Sequence, residues 1–366
     1  MIELTDFNEL ERVPLAYGGN AGRKIAVRDR EGRPWMVKFP EPTRGMRGNI
    51  ASYTTSPISE WLGSHIYGLA GLPVHETALG ICEGKLVCAC RDFTYPDLRL
   101  YEFHDVKNSI SDEDPGYEGR PSDGSNLFLS DVLAAVQGLT RPYSSLPCLE
   151  RFWDMFVMDG LIGNADRNNG NWGFLFRGLD LVGLAPVYDN GNAFFNKRRD
   201  STMAQRAQDD AMLEQDAVGA SLSCYKDQAG HRISPMRYIA DGVDSGCMRA
   251  CARLLERLDP AEVDELIDSL PERAVGLEIM PDEVKEFHKQ VLRRRRDEVI
   301  LPAYETWHRA HRLFVGDPGL ALGASGSAEF SRSAGHEAPC VDEDDALGHD
   351  VVALPGNGKT EDRSEI

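Results

Sequence analysis

No stretch of the sequence approaches the roughly 20 apolar residues of a membrane-spanning helix. The acidic start, MIELTDFNELERV, has neither the basic lead nor the apolar centre of a secretory signal. A soluble, cytoplasmic protein without stable membrane insertion is the expectation. Basic side chains are also few beside the acidic ones, 40 against 59, and the formal charge of −19 argues against a general affinity for nucleic acid or anionic lipid. The eight cysteines contain no Cys-x-x-Cys pair. Cys88 and Cys90 fall in an apolar run and Cys247 and Cys251 at helical spacing, so buried thiols are expected and not zinc ligands or disulfides. His65, His75, His104 and His288 are scattered without metal-ligand spacing and read as packing or surface residues. Aromatic residues nearly vanish beyond Gly316, where eleven acidic and three basic residues mix with Gly, Ser, Ala and Pro. That composition predicts a disordered tail over 316–366.

What is present begins with order along the chain. Segments of strand character, RVPLAY and KIAVRD, flank the glycine-rich GGNAG (Gly18, Gly19, Asn20, Ala21, Gly22), with Lys24 just after it. A third strand, WMVKFP, carries Lys38. A polar connection then ends at Ser56 and Pro57, an N-cap followed by proline at the first helical position. From Ile58 to Ala70 the apolar spacing is helical, Glu60 lies in the first turn, and Gly71 and Pro73 stop the helix. Two strands, VHETALGI and KLVCACRDF, follow around the turn CEG. A strand lysine that contacts nucleotide phosphates needs a helix carboxylate to orient it, and this succession is that of a protein-kinase N-terminal lobe.

A second cluster interrupts an apolar run. After the buried-helix pattern LERFWDMFVMDGLI comes GNADRNNGNWGF, in which Asp166 stands five positions before Asn171. Alone this could be an ordinary polar turn. It is also the spacing of a kinase catalytic loop, whose Asp meets the acceptor hydroxyl and whose Asn binds magnesium. A strand pair, WGFLF and LVGLAPVY, then delivers Asp189 in YDNGNAFF. That carboxylate leaves a buried strand where a kinase places its metal-binding Asp.

Taken together, YGGNAGRK, WMVKFP, SEWLGSHIYGLAGLPV, IGNADRNNGNWGF and APVYDNGNAFF resemble the HipA-like serine/threonine kinases, and among them the stand-alone branch. The resemblance runs from about residue 12 to about residue 315. It implies an α+β, two-lobed protein-kinase-like fold: a small β-rich N-lobe with one helix over 1–92, a larger helical C-lobe over 93–315, and the tail. It implies ATP and Mg2+ as cofactors and a protein Ser or Thr hydroxyl as acceptor, with autophosphorylation included. Lys38 would contact the ATP phosphates with Glu60 in support, and Asp166 would be the catalytic aspartate. Asn171 and Asp189 would hold the metal. Gly18 to Gly22 and Lys24 would approach the phosphates, and Cys88, Ala89 and Cys90, within CACRDF, would present backbone groups to adenine.

The departures are specific. GGNAG is not G-x-G-x-x-G, and Ala165 stands where an arginine usually precedes the catalytic Asp. Only 37 residues precede Lys38, so the resemblance carries no expectation of a HipB-type antitoxin partner. Two other functions remain open at this point: a lipid or small-molecule kinase on the same fold, for which the basic run from Arg293 to Arg296 is the one dense feature, and a nucleotide-binding pseudokinase scaffold. The stretch 104–126 reads as a polar loop near the acceptor groove. Ser201 and Thr202, beside Arg198 and Arg199 in NKRRDSTMAQRAQDD, stand in the position of an activation loop, where an added phosphate could pair with guanidinium.

Overall fold

In the computed structural model, which describes residues 2–18, 22–44, 51–113, 127–219 and 222–315, the first layer is a six-stranded sheet. Its strands are β1 (Thr5–Asp6), β2 (Glu11–Val13), β3 (Lys24–Arg28), β4 (Pro34–Lys38), β5 (Thr77–Cys82) and β6 (Lys85–Arg91), in the order β1-β5-β6-β4-β3-β2. Period-two alternation divides the side chains between two faces. Val27, Val37, Val87 and Ala89 point to a small core with Phe7, Trp35 and Phe39. Leu79, Cys88 and Cys90 point the other way, onto helix α1 (Ser56–Leu69), whose Ile58, Trp61, Leu62 and Ile66 are buried. Gly80 is required where β1 runs parallel to β5, because a Cβ there would lie 2.1 Å from the Thr5 carbonyl oxygen. The expected helix is found, displaced at its start: Thr55 takes the cap position and Ser56 is already helical.

The second layer is mostly helical. Strand β7 (Arg99–Glu102) opens it, followed by α2 (Phe103–Glu113), α3 (Leu129–Gln137) and α4 (Cys148–Ile162). The hairpin β8 (Gly173–Arg177) and β9 (Asp180–Leu184) pairs with β7 in a three-stranded sheet of order β7-β8-β9. Then come α5 (Asp200–Arg206), α6 (Asp210–Glu214), α7 (Pro235–Asp241), α8 (Ser245–Arg257), α9 (Pro260–Ser269), the small hairpin β10 (Arg273–Ala274) and β11 (Leu277–Glu278), α10 (Asp282–Arg294) and α11 (Leu301–Val315). Almost every residue of α4 is buried. Its Phe152, Trp153 and Phe156 form an aromatic cluster with Tyr225 and Tyr238. Helix α1 and the Cys88 face of the sheet belong to this same core, so the two layers share one apolar interior.

This is the two-lobed α+β arrangement that the motif order implies, with two local differences. Strands β1 and β7 carry no clear sequence signal, because β1 is two polar residues and β7 is short and half polar. Residues 103–113 are helical where a polar loop is expected, and 114–126 lie outside the described residues, as does the acidic tail. The last helical pattern is interrupted as its proline predicts: a wide π-type turn over Arg295–Ile300 separates α10 from α11, just before Pro302, which has no N–H to give the preceding turn. Among the described residues no helix is long and apolar enough to cross a membrane.

Candidate active site

Three sequence-distant residues meet between the layers. Lys38 Nζ donates to Glu60 Oε2 at 2.7 Å and to Asp189 Oδ1 at 2.9 Å. Strand β4 supplies the lysine, helix α1 the glutamate just past its first turn, and the chain after β9 the aspartate. Burial works against a charged lysine here, but Asp189 and Glu60 outweigh it and hold its pKa well above the usual range. For Glu60, burial also opposes charging, and the Lys38 ammonium followed by His75 drives its carboxyl far below the usual range. Both oxygens of Glu60 are in use, since Oε1 lies 3.0 Å from His75 Nε2 and accepts the Asn190 backbone N–H at 3.0 Å.

His75 is therefore not merely a packing residue. Ser64 Oγ lies 3.1 Å from the same ring nitrogen and accepts from Asn190 Nδ2 at 3.0 Å. Glu60, His75 and Cys90 bring donor atoms within 4.8 Å of one another. Because Lys38, His75 and Asn190 already engage Glu60, this cluster acts as a hydrogen-bonded support for Lys38.

Asp189 has a left-handed backbone, φ +60°, an uncommon conformation for a residue with a side chain. It leaves the Asp189 carboxylate partly exposed, aimed at Lys38. The chain reaches this point through a bridge between Val187 and Val74, since β9 itself ends at Leu184.

The catalytic-loop candidates are held from below by Arg167. Its guanidinium donates to Asp159 Oδ2 at 2.9 Å and Oδ1 at 3.1 Å, to Asn190 Oδ1 at 2.5 Å, to the Asn171 carbonyl at 3.0 Å and to the Tyr188 carbonyl. Asp159 also accepts from Tyr67 Oη at 2.8 Å and Asn164 Nδ2 at 3.0 Å, and Tyr225 Oη donates to the Arg167 carbonyl at 2.8 Å. One buried guanidinium thus ties α4, the Asp166 loop and the segment around Asp189 together.

Above this support, Asp166 lies at the solvent side with Asn168 Nδ2 donating to its Oδ1 at 3.1 Å. Desolvation by the surrounding protein, with Asp189 adding to it and Asn168 opposing, raises its pKa from the usual carboxylate range. Asn171 Nδ2 donates to the Asp166 carbonyl at 2.7 Å, which leaves the Asn171 amide oxygen as the atom a cation would take. Gly170 faces Glu102, whose Oε2 would be 3.0 Å from an added Cβ.

Lys24 sits opposite Lys38 in the β3–β4 register and donates to the Gly18 carbonyl at 2.8 Å. Burial, and then the Lys38 charge, lower its pKa. Gly22 has φ +61°; Gly19, Asn20 and Ala21 lie outside the described residues.

The adenine-facing expectation needs correction at Cys88, Ala89 and Cys90. Strand β6 lies between β5 and β4, where Cys88 pairs with Leu79 and Lys38, Ala89 with Ala78 and Val37, and Cys90 with Thr77 and Met36. Their backbone groups belong to ladders on both sides. The sheet releases the chain only after Arg91. Phe93 there faces Tyr188, ring centroids 5.6 Å apart, and Tyr17 Oη donates to Asp92 Oδ2 at 3.1 Å.

The basic run does not form an open patch. Arg293 bonds Asp264, Arg294 bonds Asp210 and Glu214, Arg296 bonds Asp297, and Arg295 is buried. The cysteines among the described residues are free thiols, and all but the half-buried Cys224 are buried. The sequence assigns no role to Asp159 or Asn190, reads His75 as a packing or surface residue, and leaves Arg167 open between bonding its own loop and touching substrate. Asp154 and Asp159 within the apolar FWDMFVMDGLI were a usable signal, because a carboxylate in a buried helix must have a partner; Asp154 has Arg253 at 2.6 Å.

Comparison with known proteins bears on the family and the fold. Residues 16–253 match the HipA-like C-terminal domain. The chain is 31% identical over 299 residues to the serine/threonine-protein kinase CtkA of Helicobacter pylori, covering 81% of this chain and 86% of that protein. The crystal structure of the H. pylori proinflammatory kinase CtkA superposes with a TM-score of 0.72 at 28% identity, over 84% of this chain and 99% of that one. The HipA–HipB–operator DNA complex of Shewanella oneidensis gives a TM-score of 0.45 at 12% identity, over 84% of this chain and 75% of that one.

Proposed function

The chain belongs to the HipA-like family, and from that premise we propose that it is a serine/threonine protein kinase that transfers the γ-phosphoryl group of Mg-ATP to protein hydroxyls, its own included. The observation that carries this reading is the junction of Lys38 with Glu60 and Asp189 at 2.7 and 2.9 Å, beside a loop holding Asp166 and Asn171.

Lys38, kept charged and fixed in direction by Glu60, places a positive charge against the nucleotide phosphates. Asn171 and Asp189 offer only oxygen donors, which suits a hard divalent cation; they would hold magnesium, which when bound neutralises charge on the phosphate oxygens. Asp166 is the group that orients the acceptor hydroxyl and takes its proton as the oxygen–phosphorus bond forms and the bond to ADP breaks. Lys24 and the Gly18 carbonyl hold the edge of the phosphate loop. The chain from Asp92 onward, with Phe93 against Tyr188, is the proposed adenine side in place of Cys88 to Cys90.

Labelled ATP with a generic protein acceptor tests the assignment. Asp166→Ala should cut phosphotransfer by about 100-fold or more while nucleotide binding persists, and Lys38→Met should weaken both. Unchanged transfer by Asp166→Ala would overturn it. Mass spectrometry of the wild-type chain after incubation with Mg-ATP reads autophosphorylation directly.

A further inference from the structure

A buried carboxylate in the segment after Asp189 has two arginines to itself. Asp216 is 1% exposed and lies in the wide turn Gln215–Gly219 that follows α6. Arg198 donates to it through Nη1 at 2.7 Å and Nη2 at 3.0 Å. Arg206, at the end of α5, donates through Nε at 2.5 Å and Nη2 at 2.9 Å. Both guanidinium groups are thus bidentate on one aspartate, the strongest form of this pairing. Arg206 also reaches the Met212 carbonyl at 3.1 Å and Gln215 Oε1 at 3.2 Å, and Arg198 lies over the Phe195 ring at 4.3 Å. From beneath, the buried Arg295 donates to the carbonyls of Asp216 at 3.0 Å, Ala217 at 2.8 Å and Leu161 at 2.9 Å. Leu161 is in the last turn of α4, next to the Asp166 loop. The clamp is therefore fixed to the helix that carries that loop.

A phosphate added to a kinase segment orders it by giving clustered arginines an anion to hold. Here a carboxylate of the chain itself already occupies the clustered guanidinium groups. We propose that Asp216 is a positioning residue that stands in for an activating phosphate, so that the segment 198–219 is ordered in the unphosphorylated chain and phosphotransfer requires no modification at Ser201 or Thr202. Arg198, one of the two arginines beside Ser201 and Thr202, is committed to Asp216. Ala165 is consistent with this, since it removes the other arginine that commonly binds such a phosphate. The ordering itself is independent of the reaction; its effect on turnover rests on the phosphotransfer function proposed above.

The test uses full-length protein treated with phosphatase and shown by mass to carry no phosphate. Hydrogen exchange over 198–219 and the progress curve of acceptor phosphorylation are measured for wild type, Asp216→Ala, Asp216→Asn and Asp216→Glu. Wild type should be protected over 198–219 before nucleotide is added and should phosphorylate the acceptor without a lag. Asp216→Ala and Asp216→Asn should exchange at least about 10-fold faster there and lose kcat/KM for the acceptor with Mg-ATP affinity retained. Acetate should restore part of the Asp216→Ala loss against chloride at equal ionic strength, and Asp216→Glu should be intermediate. Exchange in wild type as fast as in Asp216→Ala, or protection that appears only once phosphate is incorporated, would overturn the proposal without requiring any variant to fold well. A wild-type chain that is protected yet transfers no phosphate would sink the kinase reading and leave the clamp standing.

Discussion

Arg167 is the residue on which the site's geometry most depends. It is 1% exposed and is held by Asp159 on one side and by Asn190 and two carbonyls on the other. Removing one partner of such a pair leaves an uncompensated buried charge. Arg167→Met should therefore cost about 3–5 kcal/mol, measured by denaturant unfolding. The double variant with Asp159→Asn should cost clearly less than the sum of the two single ones. Arg167→Lys keeps the charge but loses the planar fork, and should still lose most phosphotransfer activity. The sequence placed Arg167 beside Asp166 without telling whether it faced substrate or the loop. Only the burial of Asp159 decides that it points inward.

At the scale of elements, the joint between α4 and the Asp166 loop sets the position of Asp166. Gly163 ends α4 with φ +72°, and a Cβ there would lie 2.9 Å from Arg295 Nη1. A left-handed backbone costs a residue with a Cβ about 1–2 kcal/mol, and Arg295 would have to move as well. Gly163→Ala should lower stability by about 2 kcal/mol or slightly more, read as a shifted unfolding midpoint, and should increase exchange at Asp216 and Ala217. Strand β6 makes the complementary point. CACRDF gave the right neighbourhood for a connector between layers, but strand pairing decides where it begins, because Trp35 opposite Arg91 extends the ladder to that residue.

For the whole molecule, the pH dependence of stability has a specific contributor in His288. It packs against the rings of Phe194 and Phe287. Burial first, and then Arg295 and Arg198, lower its pKa from 6.5 to about 3. The folded chain thus keeps the ring neutral, while the unfolded chain takes up a proton as the pH falls below about 6.5. Stability from this group is present above that pH and is lost steadily between about 6.5 and 3, with a slope of about 1.4 kcal/mol per pH unit from this group alone. Unfolding curves measured across pH 4 to 7 should show a shallower dependence for His288→Phe than for wild type. Equal slopes would remove His288 as the cause.

The order of the motifs was legible in the chain because each depends on local chemistry: glycines where a turn is needed, period-two and helical apolar spacing, and fixed intervals between Asp166 and Asn171. That order sufficed for the family, the two-lobed fold and the candidates Lys38, Glu60, Asp166, Asn171 and Asp189. The partners of buried charges were not legible, because they are set by distance in space. His75 reaches Glu60 from the connection between α1 and β5, Arg167 reaches Asp159 and Asn190 from a different element, and Asp216 gathers Arg198 and Arg206. In each case a charge removed from water had to find its counterpart, and only the tertiary structure brings the two within hydrogen-bonding distance.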